Sequence, residues 1–194
     1  MVKLNFDARG YAFKAGLNVL HEGYISASTA LAANVERVKA EAVTYEASDE
    51  FIGERDDDGY VLWEQSQVLD MQRETAEEAL MALRRAYAIV LYHYWEREIQ
   101  TYTESGTSAD HEKLKKRATD KGILIDTRLG AVRDLANALK HNKGAKLQAS
   151  WPGVLTPRAR TGQPRNWYEA VQLADEHVAE VFEIIARSGP VIHP

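Results

Sequence analysis

Arg133, Asn137 and His141 are the residues whose types and spacing best suit chemistry in this sequence. They follow one another at intervals of four, so on an α-helix each lies one turn above the last. Lys140 and Lys143 flank His141 and add positive charge there. A histidine can transfer a proton near neutral pH, and an arginine or lysine can stabilise a negatively charged oxygen. The group is therefore a candidate site for proton transfer on a phosphate-bearing substrate.

The helix that carries these residues is predicted to span 126–144. Asp126 or Thr127 can cap its first N–H groups, and Gly144 can adopt the left-handed conformation that ends a helix. The helix dipole favours a protonated His141 near that end. Apolar residues recur at spacings of three and four, and they predict a buried face: Leu129, Val132, Leu135, Ala136 and Leu139.

His93 and Glu96 form a second polar pair, one turn apart in the apolar stretch LYHYWERE. Di-iron bundles need paired Glu-x-x-His motifs, whereas here the order is reversed and occurs once. The sequence therefore predicts no metal site. The two side chains are expected to form hydrogen bonds with each other or with a backbone group in the core. Alternatively, they support the helix that carries Arg133 and His141.

Three further histidines have no partner that the sequence reveals. His111, His177 and His193 are therefore expected to be surface residues.

The apolar spacing along the whole chain predicts an all-α fold. We expect a single domain over 1–194, a bundle of about five helices, two of them long, without a significant sheet. A capping box at Thr107 and Asp110 is expected to begin the third helix. The predicted segments are a first long helix at 6–47, a central buried helix at 61–103, a short basic helix at 107–121, the motif helix at 126–144, a Pro/Arg loop at 147–165 and a last helix at 166–188.

Composition and charge narrow the function classes further. The chain has no cysteine, which excludes disulfides, zinc–thiolate sites and iron–sulfur clusters. Its net charge is −5, but residues 111–165 carry +9 and the rest carries −14. The basic segment is either an anion-binding surface or a partner for acidic residues of the same chain or of a second subunit. Without a signal peptide or a long apolar run, we expect a cytoplasmic protein with no membrane contact.

The pattern Arg-x-x-x-Asn-x-x-Lys-His, at residues 133–141, resembles the motif of the HEPN superfamily. The stretch LYHYWERE is similar to the second core helix of such domains, where an acidic residue often faces the active site. The resemblance covers roughly residues 61–145. The chain departs from the family pattern in two ways: seven residues separate Arg133 from His141, and Ala136 precedes Asn137 where many members have arginine.

The resemblance implies a metal-independent endoribonuclease of the kind found in bacterial toxin–antitoxin and phage-defence systems. In that reaction a ribose 2′-hydroxyl attacks the adjacent phosphorus. His141 would act as general base or acid, and Arg133 and Lys140 would stabilise the charge of the phosphorane. Asn137 would orient the histidine or the substrate.

The resemblance also implies partners for this site. Lys143 would join Lys140 in binding the substrate, and His93 and Glu96 would support the site. No cofactor is implied; the expected partners are a second copy in a homodimer, RNA, and a cognate antitoxin or defence-system protein. The alternative is a non-catalytic helical module that binds a protein partner or dimerises.

Overall fold

The structure, a computed structural model, describes residues 6–48, 50–106, 110–157 and 165–192. These residues form seven α-helices and one two-stranded sheet, which confirms the all-α class. No helix in the described ranges is both long and apolar enough to cross a membrane. The elements are α1 (Ala8–Glu46), β1 (Gly53–Arg55), β2 (Val61–Glu64), α2 (Gln65–Tyr102), α3 (His111–Asp120), α4 (Leu129–His141), α5 (Ala145–Ser150), α6 (Trp167–Ala170) and α7 (Asp175–Arg187).

The chain divides into two compact units. The larger unit comprises Met1–Tyr24 and Arg84–Pro194, and the smaller unit comprises Ile25–Leu83. Both long helices, α1 and α2, contribute residues to each unit. The candidate site residues all belong to the larger unit.

The smaller unit contains a hairpin where the sequence predicted the start of a helix. Residues 61–64 form β2, which pairs antiparallel with β1, so α2 begins only at Gln65. Asp56 makes the turn between the strands, because its Oδ1 accepts the N–H groups of Asp58 at 3.0 Å and Tyr60 at 2.8 Å. Gly59 adopts φ 85°, a conformation that glycine reaches without steric cost. The turn chemistry thus overrides the helical spacing of the following residues.

The core of the larger unit lies around α4 and the second half of α2. The predicted apolar face of α4 is buried, and α4 packs against α5, α6 and α7. On α2, Leu91, Trp95 and Ile99 are fully buried. Val90 on the same helix is half-exposed, so the second half of α2 is buried on most sides but not all round.

The motif helix is shorter than predicted at both ends. It begins at Leu129, because the carboxylate of Asp126 accepts the N–H of Arg128 at 2.8 Å and closes a turn before the helix. It ends at Asn142, which takes the left-handed conformation with φ 54° and ψ 36°. Gly144, to which the sequence assigned that role, has φ −109°.

A tertiary contact explains the positions of Asn142 and Gly144. Asn142 Oδ1 accepts the N–H groups of Trp167 at 2.5 Å and Tyr168 at 3.3 Å, so it fixes the first turn of α6. A Cβ atom at position 144 would lie 2.3 Å from the Trp167 ring. Glycine is therefore needed at 144 for close packing, and asparagine supplies both the left-handed turn and the acceptor at 142.

The other predicted segments also differ in detail. The last helix is divided into α6 and α7, between which Val171 forms an isolated bridge with Leu155. The predicted loop at 147–165 begins with part of α5 and a 3₁₀ turn at Pro152–Val154, and Trp151 is buried there. Residues 158–164 of that loop lie outside the described residues.

The short basic helix, α3, begins at His111. Asp110 caps it by accepting the N–H of Lys113 at 2.9 Å, and Thr107 lies outside the described residues.

Candidate functional site

Lys140, His93 and Glu96 form a hydrogen-bonded row that joins α4 to α2. Lys140 Nζ lies 2.9 Å from His93 Nε2, and His93 Nδ1 lies 2.7 Å from Glu96 Oε2. A lysine ammonium group only donates hydrogen bonds, so this geometry assigns a lone pair to His93 Nε2 and a proton to Nδ1. The row is therefore a carboxylate, a neutral imidazole and an ammonium group in sequence.

This row reaches the protein surface. The side chain of His93 is 42% exposed and that of Glu96 is 25% exposed, and Lys140 is exposed. His93 and Glu96 thus bond to each other, one of the predicted alternatives, but the imidazole is accessible rather than enclosed in the core. An accessible imidazole oriented by a carboxylate is an arrangement suited to general-base catalysis.

Arg133 is held by carboxylates on both sides. Its Nη2 lies 2.9 Å from Asp134 Oδ1, and its Nη1 lies 3.3 Å from Glu112 Oε1. Asp134 is buried, and its second oxygen accepts from Ser150 Oγ at 3.3 Å. Glu112 is exposed, so the part of the guanidinium group that can be freed for another anion is the Nη1 side.

Asn137, His141 and Lys143 are not joined to this row. Asn137 is partly exposed, and His141 and Lys143 are exposed. Within the described ranges, no side-chain hydrogen bond or ion pair links them to His93, Glu96 or another side chain. Their predicted roles in catalysis and substrate binding therefore stay predictions.

His111 is buried, with 7% of its surface exposed, so the prediction of a surface residue is wrong. It occupies the same face of α3 as the fully buried Leu114 and Ala118, three and seven residues further on. That spacing was visible in the sequence and indicated a buried histidine. His177 is partly buried, with Nδ1 accepting the N–H of Ala174 at 3.0 Å, and His193 lies outside the described residues.

The surroundings of His111 keep its imidazole neutral. Burial, followed by the positive charge of Arg133, lowers the pKa of His111 to about 4. The Tyr92 hydroxyl lies 3.0 Å from His111 Nδ1, and burial raises the pKa of Tyr92 so that it remains a donor. His111 Nε2 is 3.8 Å from Glu112 Oε1, and in the described part of the chain it has no hydrogen-bond partner. The imidazole is neutral at pH 7, so its contact with the Glu112 carboxylate is not an ion pair.

The lowered pKa of His111 predicts a loss of stability in acid. The unfolded chain takes up a proton near the ordinary histidine pKa of 6.5, whereas the folded chain does so only near 4. Stability contributed by the neutral imidazole is thus complete above pH 6.5, falls as the pH drops towards 4, and levels off below it. The loss should reach about 3 kcal/mol.

Urea unfolding measured from pH 7 to pH 4 checks this prediction. His111→Gln should flatten the pH dependence, because it removes the titrating group. The same substitution at the exposed His141 is the matched control. Parallel curves for the native chain and His111→Gln would contradict the assignment.

The described residues contain no group of three or more His, Cys, Asp or Glu side chains placed to hold a metal ion. No family model, curated protein or solved structure matches this chain. The fold and the site define this chain as a helical protein with an accessible carboxylate–imidazole–ammonium row on α2 and α4.

Proposed function

We propose that this chain is an RNA-directed protein of the HEPN type that cleaves RNA without a metal ion, where α2 and α4 meet. The observation that carries the proposal is the row of Lys140, His93 and Glu96. It sets the Nε2 atom of an imidazole directly beside a cation, at an accessible surface. Attack of a 2′-hydroxyl on phosphorus needs both a proton acceptor and a positive charge at the phosphate.

The first half of the reaction uses the row. His93 Nε2 accepts the proton of the ribose 2′-hydroxyl while O2′ forms a bond to phosphorus. Lys140 turns from the imidazole to a non-bridging phosphate oxygen and stabilises the charge of the phosphorane. Glu96 stabilises the imidazolium that His93 becomes, because its carboxylate already accepts from Nδ1.

In the second half the bond from phosphorus to O5′ breaks. We propose that His141, exposed at the C-terminal end of α4, donates the proton that O5′ takes up. Asn137 orients the substrate and Lys143 binds a flanking phosphate. Arg133 keeps its bond to Asp134 and meets the substrate through Nη1 when Glu112 turns away.

The proposed assembly is a two-fold homodimer with a cognate antitoxin or defence-system protein as a further partner. Leu129, Val132 and Ala136 are buried within the single chain, so they are not available for the dimer interface. If α4 faces its copy, it does so with the polar side that carries Asn137 and His141. This arrangement would bring the two copies of the motif close together.

An RNA cleavage assay tests the proposed function. Purified protein is incubated with labelled single-stranded and structured RNAs in the presence of EDTA. Cleavage should yield 2′,3′-cyclic phosphate and 5′-hydroxyl ends, and a 2′-O-methyl group at the cleaved position should block it. Intact RNAs at excess protein, or cleavage beside the 2′-O-methyl group, would refute the proposal.

A further inference from the structure

The smaller unit is strongly acidic. Residues 25–83 contain fourteen Asp or Glu and four Lys or Arg, a net charge of −10, while the rest of the chain carries +5. Such a concentration of negative charge attracts a basic partner and repels a second acidic surface.

An apolar groove runs between α1 and α2 inside this unit. It encloses about 690 Å³. Met71, on its wall, is 59% exposed despite its apolar side chain. The other apolar lining residues are Val38, Val68, Leu69, Ala76 and Ala79.

The groove continues towards the β1–β2 hairpin. A second groove of about 580 Å³ is lined by Tyr45 and Ile52, and it shares Leu69 with the first. The hairpin itself exposes large apolar side chains: Phe51, Ile52, Tyr60, Val61, Leu62 and Trp63. Apolar surface of this extent on one small unit is typical of a binding surface. We call the two grooves and the hairpin the acidic docking surface.

We propose that the acidic docking surface binds an amphipathic helix of another protein, apolar on one side and rich in Lys and Arg on the other. The apolar side would fill the groove, as in other helix-in-groove complexes. The basic side would face carboxylates of this unit; Glu41 lines both grooves and is paired there with Arg37, so a basic partner would compete with Arg37 for it. The charge of the unit therefore selects the partner and the groove fixes its position.

A second copy of this chain does not fit the same role. Two smaller units would repel each other, since each carries −10. The basic helix α3 could supply positive charge, but its apolar residues Leu114 and Ala118 are already fully buried in the larger unit. Within its described residues, the helix α3 therefore presents lysines but has no free apolar face with which to fill the groove of a second copy.

Binding of a designed peptide tests this inference. The probe is a labelled helical peptide of about 18 residues, long enough for five turns, with leucines on one face and lysines on the other. Its control is a Lys/Ser peptide of equal charge. Fluorescence anisotropy with the full chain should show binding of the Leu/Lys peptide at least about tenfold tighter than that of the control. Binding should weaken at about 1 M salt, where charges are screened.

Substitutions in the full chain locate the site. Met71→Glu and Leu62→Glu each make the surface more negative, so weaker binding can only come from lost apolar contact. Each should reduce affinity for the Leu/Lys peptide about tenfold or more. Val19→Glu is the matched control, because Val19 is an exposed apolar residue of the larger unit and the charge change is the same.

Unchanged affinity in Met71→Glu and Leu62→Glu, or equal binding of the Lys/Ser peptide, would overturn the inference. A native dimer that Met71→Glu converts to a monomer in light scattering would assign the groove to a second copy instead. Circular dichroism of each variant checks that the helices are retained. RNA cleavage plays no part in these measurements, so their outcome is independent of the proposed ribonuclease activity.

Discussion

Trp95→Ala should lower the free energy of unfolding by about 3–5 kcal/mol. Trp95 has no exposed surface, and its ring stacks on Tyr92 with the centroids 6.2 Å apart. Its Nε1 donates to the carbonyl oxygen of Ser188 at 2.8 Å. Alanine would leave a cavity and a buried carbonyl group without its donor, and both effects destabilise the folded chain. Urea unfolding at pH 7 measures the loss.

Trp63→Ala is the matched control for Trp95→Ala. Trp63 is 40% exposed in the hairpin, so its loss should change the free energy of unfolding by about 1 kcal/mol or less. A Trp95→Ala effect as small as that of Trp63→Ala would show that the second half of α2 is not the centre of the core.

His93→Ala should reduce the rate of RNA cleavage by about 10²- to 10⁴-fold, the usual contribution of a general base. The side chain is 42% exposed, so the melting temperature should stay close to that of the native chain. Glu96→Gln should lower the rate less, because the amide can still accept from His93 Nδ1 but cannot neutralise the imidazolium. Single-turnover cleavage of one labelled RNA compares these variants directly.

Two other histidine variants show whether His93 acts in catalysis or only supports the structure. His141→Ala should also slow cleavage if His141 protonates the leaving oxygen, whereas His21→Ala, an exposed histidine of α1, should have no effect. Full activity in His93→Ala together with a large loss in His141→Ala would mean that the row on α2 only supports the structure. Lys140→Ala should weaken RNA binding as well as slow the reaction, since it removes a phosphate contact.

Residue spacing within a single helix predicts part of the fold from the sequence. The residues predicted for the buried face of α4 are buried, because a 3.6-residue period places them on one side. The ends of that helix could not be predicted, since the contact of Asn142 with Trp167 decides one of them. The hairpin could not be predicted, because β2 is only four residues long and its side chains do not alternate in burial.

The candidate site was predictable only in part. Residue type and spacing single out each member of the row, but the contact of Lys140 with His93 joins positions 47 residues apart and depends on how α2 and α4 pack. The pairing of Arg133 with Glu112 likewise depends on the position of α3. Sequence spacing places residues on one helix face and does not say which face of another helix lies opposite.

The end of α4 restricts which residue types related sequences can carry at positions 142, 144 and 167. Position 142 needs a left-handed backbone and a side-chain oxygen acceptor, which asparagine and aspartate satisfy together and glycine does not. Position 144 must stay glycine wherever a tryptophan occupies 167. In divergent homologues, therefore, positions 144 and 167 should change together, while 142 alternates between Asn and Asp. A paired pattern of this kind could identify distant relatives that overall similarity does not reveal.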